Sequence, residues 1–126
     1  MEDKDPLDTT IIEGLIAEIG PESMARVLDA MAGDAERLLA GVRQALANNN
    51  PKAFSLYVHS LKSNSLTVGA VKVGALYGEL ETLSTNGSLA GVESKVDQAE
   101  AEYRTLIGFI VTVPESDQQK KISSSG

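Results

Sequence analysis

Apolar residues recur at three- and four-residue steps along most of the chain, and this spacing predicts amphipathic α-helices. A first short helix is predicted after Asp8, which is a good N-cap, and it ends at Gly20. A long second helix is predicted over about 21–48, because Pro21 suits the first position of a helix and an apolar stripe follows it. A third helix is predicted over about 51–67.

The second half of the chain continues the same pattern. Gly69 should interrupt the third helix, because glycine costs helix stability and admits other backbone angles. A fourth helix is predicted over about 71–84, and a last one from near Ser88 to just before Pro114. The stripe of the first helix consists of Ile11, Ile12, Leu15, Ile16 and Ile19, and that of the fourth consists of Val73, Leu76, Tyr77, Leu80 and Leu83.

No segment shows the sustained period-two alternation of a half-buried strand. Four longer amphipathic helices joined by short loops predict an all-α fold, an antiparallel four-helix bundle with a short extra helix at its N-terminal end. The domain limits follow from this pattern. We expect a flexible arm over 1–7, the helical bundle over 8–113 and a disordered tail over 114–126.

Length and composition narrow the class of protein. The 126 residues suit one domain, and the absence of cysteine excludes disulfides and thiolate metal sites. A net charge of -7 argues against a nucleic-acid partner, because phosphate backbones need a basic surface. No apolar run has the ~20 residues of a membrane span, and the acidic N-terminus lacks the layout of a signal peptide, so a cytoplasmic location is expected.

The charge is unevenly distributed along the sequence. No Asp or Glu occurs between Arg37 and Gly78, and we call this acid-free stretch the basic segment. Its cations are Arg37, Arg43, Lys52, Lys62 and Lys72. We expect it either to be a solvated face or to receive an anionic group of a partner, with Lys52 and Lys72 as candidate docking residues.

The basic segment also holds the only histidine, His59. Lys62 and Ser63 follow it by three and four residues, so all three share one face of a helix. Val58, Leu61, Ser65 and Val68 form the opposite, buried stripe, which should leave the imidazole exposed.

Several chemistries can be weighed for this histidine. One histidine without cysteine makes a zinc site improbable, and the Glu-x-x-His motif of carboxylate metal bundles is absent because Leu56 precedes His59 by three residues. A hydrolytic triad with Ser60, Ser63 or Ser65 would need an acid folded in from elsewhere.

Phosphoryl transfer fits the residues better. An exposed imidazole with the unperturbed pKa of ~6.5 is largely neutral and nucleophilic near neutral pH. The ammonium of Lys62 could bind phosphoryl oxygens as charge develops. No Gly-rich phosphate loop and no Asp cluster is present, so no cofactor is expected and a partner should supply metal and most of the catalysis.

These residues carry a resemblance to a known family. His59, Leu61, Lys62, Ser65, Gly69 and Ala70 match the pattern His-x-Leu-Lys-Gly-Ser-(small)-x-x-x-Gly-Ala of histidine-containing phosphotransfer (HPt) domains, and Val73, Leu76, Leu80 and Glu81 fit the helix that follows it. The similarity covers about residues 8–112. Ser63 and Asn64 depart from the pattern, which has glycine and serine there.

The resemblance implies a phosphorelay intermediate rather than an enzyme. His59 would take a phosphoryl group from a receiver-domain aspartate, and Lys62 would be the phosphate-facing cation. Glu81 would either orient His59 or be an ordinary surface acid. Leu66, on the His59 face, would be a docking contact or an ordinary exposed leucine. Gly69 and Ala70 would be structural.

Two further readings stay open. The chain could be an interaction-only bundle that keeps the fold without the chemistry, or the phosphorylated N-terminal domain of a chemotaxis-type kinase. Gly69-Ala70 stands where that kinase class more often has Gly-Phe. The partners expected for the carrier are receiver domains or a hybrid sensor kinase, and no sequence feature requires a dimer, so a monomer is expected.

Overall fold

The computed structural model describes the backbone of residues 9–125 and the side chains of residues 10–110. That part of the chain is built from helices, with no strand among the described residues. The helices are α1 (Thr9–Ile19), α2 (Pro21–Ala47), α3 (Pro51–Thr67), α4 (Val71–Ser84) and α5 (Glu93–Ser125). The predicted all-α fold is therefore confirmed. The predicted arm over 1–7 and the cap Asp8 lie outside the described residues.

Glycine, proline and asparagine set the limits of the first three helices. Gly20 has φ +90, a left-handed backbone angle that suits glycine, and Pro21 then begins α2. Asn50 caps α3 because its side-chain oxygen accepts a hydrogen bond from the amide of Ala53 at 3.1 Å. Gly69 has φ +80 just after α3, so the turn into α4 needs the glycine.

The limits of α5 differ from the prediction at both ends. The helix begins at Glu93 rather than near Ser88, because the preceding segment turns at Gly87 and Gly91, whose φ angles of +80 and +79 are not helical. At the other end the helix continues past Pro114, where we expected it to stop. A proline removes one backbone donor, and a helix can resume beyond it. The expected tail over 114–126 stays a prediction, because no side chain of that stretch is described.

One hydrophobic core joins the helices. Its largest fully buried side chains include Tyr77 of α4 and Tyr103 of α5, whose rings meet edge to face with centroids 6.0 Å apart. Three residues of the predicted stripes are instead exposed, namely Ile11 and Ile19 of α1 and Leu83 of α4. Each lies at the edge of its stripe, where the helix surface has already turned toward solvent.

Ion pairs connect α2 to α5 on the surface. Arg43 of α2 binds both Asp97 and Glu100 of α5, with distances of 2.8 Å to each carboxylate. Arg104 bridges Glu100 and Glu36, which brings the chain back to α2. The order of these pairs along the two helices shows that α5 runs antiparallel to α2. Among the described helices, none combines the length and the apolar character needed to cross a membrane.

Candidate functional site

The histidine lies on the outer face of α3, as its neighbours in the sequence dictate. Phe54, Val58, Leu61 and Ser65 of α3 are fully buried and anchor the opposite face in the core. The hydroxyl of Ser65 donates to the carbonyl of Leu61 at 2.8 Å, which satisfies it inside the helix. The side chain of His59 is left 60% exposed, so the imidazole is open to solvent and to a partner.

An acid of the neighbouring helix joins the histidine to the lysine. Oε2 of Glu81 on α4 lies 2.8 Å from Nδ1 of His59, and Oε1 of the same carboxylate lies 2.8 Å from Nζ of Lys62. The hydrogen bond from Lys62 holds the pKa of Glu81 below its usual value, against the opposing effect of burial, and the bond with His59 adds to this. Glu81 is therefore an ionised carboxylate near neutral pH.

The ionised carboxylate of Glu81 determines whether Nδ1 of His59, the ring nitrogen that faces it, carries a proton. A carboxylate only accepts hydrogen bonds, so Nδ1 of His59 is the donor and carries a proton. In the neutral ring the lone pair then belongs to Nε2. The geometry thus presents a nucleophilic nitrogen on an exposed ring, with a carboxylate behind it and an ammonium bound to that carboxylate.

Two glycines of α4 lie beneath long side chains of α3. A Cβ atom at Gly78 would be 3.5 Å from Cδ of Lys62, so the lysine stem runs in contact with the backbone of α4. A Cβ atom at Gly74 would be only 2.5 Å from Cδ2 of Leu66, so Leu66 occupies the place of a missing side chain. Neither glycine is among the site residues predicted from the sequence. The available signal was their spacing of four residues within the interior of a predicted helix.

The other predicted binding residues are spread along the two helices. Ser63 is exposed one helical turn after His59, as its spacing requires. Lys52 is exposed about 10 Å before His59 along α3 and lines a shallow cleft with Ser55 and Ser84. Lys72 is exposed in the first turn of α4, about 13 Å along that helix from Glu81. The structure therefore brings Glu81 to His59, and leaves Lys52 and Lys72 at a distance.

Ion pairs balance part of the positive charge of the basic segment. Acids outside the segment pair with at least three of its five cations: Arg37 binds Asp34 one turn earlier in α2, Arg43 binds Asp97 and Glu100 of α5, and Lys62 binds Glu81 of α4. Their positive charge is therefore partly balanced within the fold. Whether the basic segment receives an anionic group of a partner stays a prediction.

Exposed leucines flank the histidine on its own face. Leu66 is 46% exposed even though it also covers Gly74. Leu56, which precedes His59 by one turn, is 68% exposed and was not among the predicted site residues. Its three-residue offset from His59 was the signal that could have identified it. Together with His59 and Ser63, these leucines define what we call the α3 face.

Two further positions of the motif, Ala70 and Asn64, lie toward the interior of the fold. Ala70, in the turn that follows Gly69, is fully buried. Asn64, at a position where the family pattern has serine, points its amide nitrogen at the hydroxyl of Tyr103 on α5 at 3.5 Å. The described residues contain no cluster of three or more metal-ligating side chains.

Comparisons with known proteins bear on the family and the fold of the chain. The family model described as "Hpt domain" matches residues 26–108. The fold is similar to that of histidine-containing phosphotransfer protein B from Pseudomonas aeruginosa PAO1, with a TM-score of 0.77 and 23% identity over 94% of this chain and 98% of that one. It is also similar to the HPT domain of an Hpt sensor hybrid histidine kinase from Shewanella, with a TM-score of 0.70 and 15% identity over 79% of this chain and 86% of that one. No curated protein matches the sequence significantly.

Proposed function

Because this chain belongs to the Hpt domain family, we propose that it is a phosphorelay intermediate that carries its phosphoryl group on His59. His59 accepts the group from an aspartate of a receiver domain, or from a kinase, and passes it to the aspartate of another receiver. The family gives the chain a phosphotransfer role in two-component signalling. The single observation that supports His59 as the carrier is its 2.8 Å contact with Glu81 behind an exposed ring.

The proposed transfer step follows from the protonation of the ring. The Nε2 lone pair of His59 attacks the phosphorus of an aspartyl phosphate, so that a P–N bond forms and the bond from phosphorus to the aspartate oxygen breaks. The aspartate leaves as a carboxylate, while Nδ1 keeps its proton. The ring therefore gains positive charge as the bond forms, and the adjacent carboxylate of Glu81 stabilises that charge. The reverse sequence returns the group to a receiver.

Lys62 also contributes to the proposed transfer, by binding phosphoryl oxygens. Its ammonium is held 2.8 Å from Glu81, close to the ring to which the phosphoryl group would be attached. The side chain is 31% exposed, so the ammonium can exchange part of its contact with Glu81 for phosphoryl oxygens. The charge that collects on these oxygens during transfer is then partly balanced.

The partner docks on the α3 face in this proposal. Leu56 and Leu66 supply exposed apolar surface on either side of His59, while Ser63 leaves only a small side chain near the phosphoryl group. Hpt domains are phosphocarrier modules, and we propose that the metal and most of the catalysis come from the receiver. Without cysteine the chain does not need an oxidising compartment, and we propose the cytoplasm.

The test is a transfer reaction with a phosphorylated receiver domain. We expect label on the wild-type chain that is lost in acid and stable in base, as a phosphohistidine is, and no label on His59→Ala. Circular dichroism of His59→Ala should match the wild type, because the ring is exposed.

The opposite result would contradict the proposed role of His59. A chain that takes no label from any receiver of its organism, or that is labelled as well in His59→Ala, would be an interaction-only bundle or would carry the group elsewhere.

A further inference from the structure

The contacts between α3 and α4 follow one antiparallel register. Three residues forward on α3, from His59 to Lys62, correspond to three residues back on α4, from Glu81 to Gly78. A further step of four residues in each direction reaches the contact of Leu66 with Gly74. The side chain of Lys62 therefore crosses α4 at a glycine, and its ammonium ends at the carboxylate one turn along that helix.

Nothing in the backbone of α4 requires a glycine at position 78. Gly78 lies inside the helix, and its φ is not among the positive values found in the described residues. Glycine weakens a helix interior, so its presence there has a cost that another feature must offset. The stem of Lys62 is in contact with Gly78, because Cδ of Lys62 lies 3.5 Å from the position that a Cβ atom of residue 78 would occupy.

We propose that Gly78 is a positioning residue for phosphoryl transfer, which acts by giving the stem of Lys62 a bare helix surface on which to lie. This inference rests on the function proposed above and assigns a residue that is not part of the family pattern matched by the sequence. Gly78 does not touch the reacting atoms and acts only through Lys62.

The physical reason is the flexibility of lysine. A lysine stem loses rotamer freedom when it is fixed, and it holds one position only if contacts along its length compensate for that loss. Here the backbone at Gly78 supports the stem and Glu81 holds the ammonium. A branched side chain at position 78 would push the stem outward, so the ammonium would leave Glu81 and the neighbourhood of the ring.

The test compares the transfer rates of three substitutions. In Gly78→Val the stiff branched side chain occupies the space beside the stem, and we expect transfer from a phosphorylated receiver to slow by about as much as in Lys62→Ala. In Gly78→Ala the added atom makes only an ordinary contact at 3.5 Å, so we expect a rate within about twofold of the wild type. Gly33→Val is the matched control, because Gly33 is also inside a helix and has nothing within 4 Å of its Cβ position.

The double variant separates positioning from a general effect on the fold. In the Lys62→Ala background Gly78→Val should slow transfer no further, since the side chain that it displaces is gone. The proposal is overturned if Gly78→Val leaves the wild-type rate unchanged, if it slows the Lys62→Ala protein by the same factor, or if Gly78→Ala or Gly33→Val is equally slow.

An NMR titration that measures the pKa of Glu81 tests the position of the Lys62 ammonium independently of phosphoryl transfer. The hydrogen bond from Lys62 is the main cause of the lowered pKa of Glu81, so Gly78→Val and Lys62→Ala should both raise that pKa, whereas Gly78→Ala should not. If the wild type takes no label, the proposed function fails and the catalytic meaning of Gly78 fails with it. If label is taken but Glu81 titrates identically in Gly78→Val, only the role of Gly78 is refuted.

Discussion

Glu81 follows His59 by 22 residues in the chain, yet its Oε2 lies 2.8 Å from Nδ1 of the imidazole. The contact exists because α3 and α4 run antiparallel, so a residue near the middle of one helix meets a residue near the end of the other. An ionised carboxylate in this place selects the tautomer with the proton on Nδ1 and leaves Nε2 free to react.

This relationship predicts the tautomer of His59. In ¹⁵N NMR spectra at a pH where the ring is neutral, we expect the Nδ1–H form to dominate in the wild type and to lose population in Glu81→Ala. Phosphoryl transfer should slow by about tenfold or more in Glu81→Ala, because the group that orients the ring and balances its charge is gone. Glu79→Ala is the control, since that acid pairs with Lys95 instead. Equal tautomer populations in Glu81→Ala and the wild type would refute the assignment.

The lowered pKa of Glu81 also predicts how stability depends on pH. A carboxyl group whose pKa is depressed in the folded state stabilises the protein above its unfolded pKa, and this contribution is lost as the pH falls through the folded pKa. Urea unfolding should therefore show the difference in unfolding free energy between the wild type and Glu81→Gln shrinking as the pH falls below about 4.3. Because Lys62 is the main cause of the shift, the change with pH should be smaller when both proteins also carry Lys62→Ala. A difference that stays constant down to about pH 3 would contradict this account.

The α3 face predicts that apolar contacts contribute more to receiver binding than the basic segment does. Leu56 is 68% exposed, so Leu56→Ala should leave the unfolding free energy nearly unchanged and weaken receiver binding by about 1–2 kcal/mol. Lys52→Ala should weaken binding by less than about 0.5 kcal/mol at physiological salt, where exposed charges are screened. Ile19→Ala on α1 is the control for loss of an exposed apolar side chain. Titration calorimetry measures all three, and a larger loss from Lys52→Ala than from Leu56→Ala would contradict the prediction.

Local sequence patterns predicted much of this structure. Three- and four-residue spacing located the helices, and the buried stripe of Val58 and Leu61 correctly left His59 exposed. This spacing predicts which residues are buried, because the face of a helix on which a residue lies follows from its position in the sequence of that helix. The resemblance to the family also singled out Glu81, although the sequence alone left open whether it faces the histidine.

What the sequence did not reveal about the site concerns contacts between helices. Arg43 belongs to an acid-free stretch of sequence, yet Asp97 and Glu100 reach it from α5, more than 50 residues away. The roles of the glycines at positions 74 and 78 likewise depend on side chains of α3 that cover them, and no pattern within α4 shows those side chains. The register between two helices depends on the complete packing of the core, which no local pattern contains.

The last prediction uses two glycines of α2 that look alike in the sequence. Gly33 has nothing within 4 Å of its Cβ position, whereas a Cβ atom at Gly41 would be 2.4–2.6 Å from three ring atoms of Tyr57. Gly33→Ala should therefore raise the unfolding free energy by up to ~1 kcal/mol, the usual gain from replacing glycine by alanine in a helix interior. Gly41→Ala makes the same gain in helix propensity, but the half-buried tyrosine ring must move, and overpacking of this kind costs about 1–3 kcal/mol. We expect Gly41→Ala to be destabilising overall, as measured by urea unfolding at neutral pH.

The double variant Gly41→Ala, Tyr57→Ala is the control for this clash. Without the tyrosine ring, Gly41→Ala should make the protein more stable than Tyr57→Ala alone. An equal loss of stability in both backgrounds would show that α2 and α3 do not approach each other at this glycine.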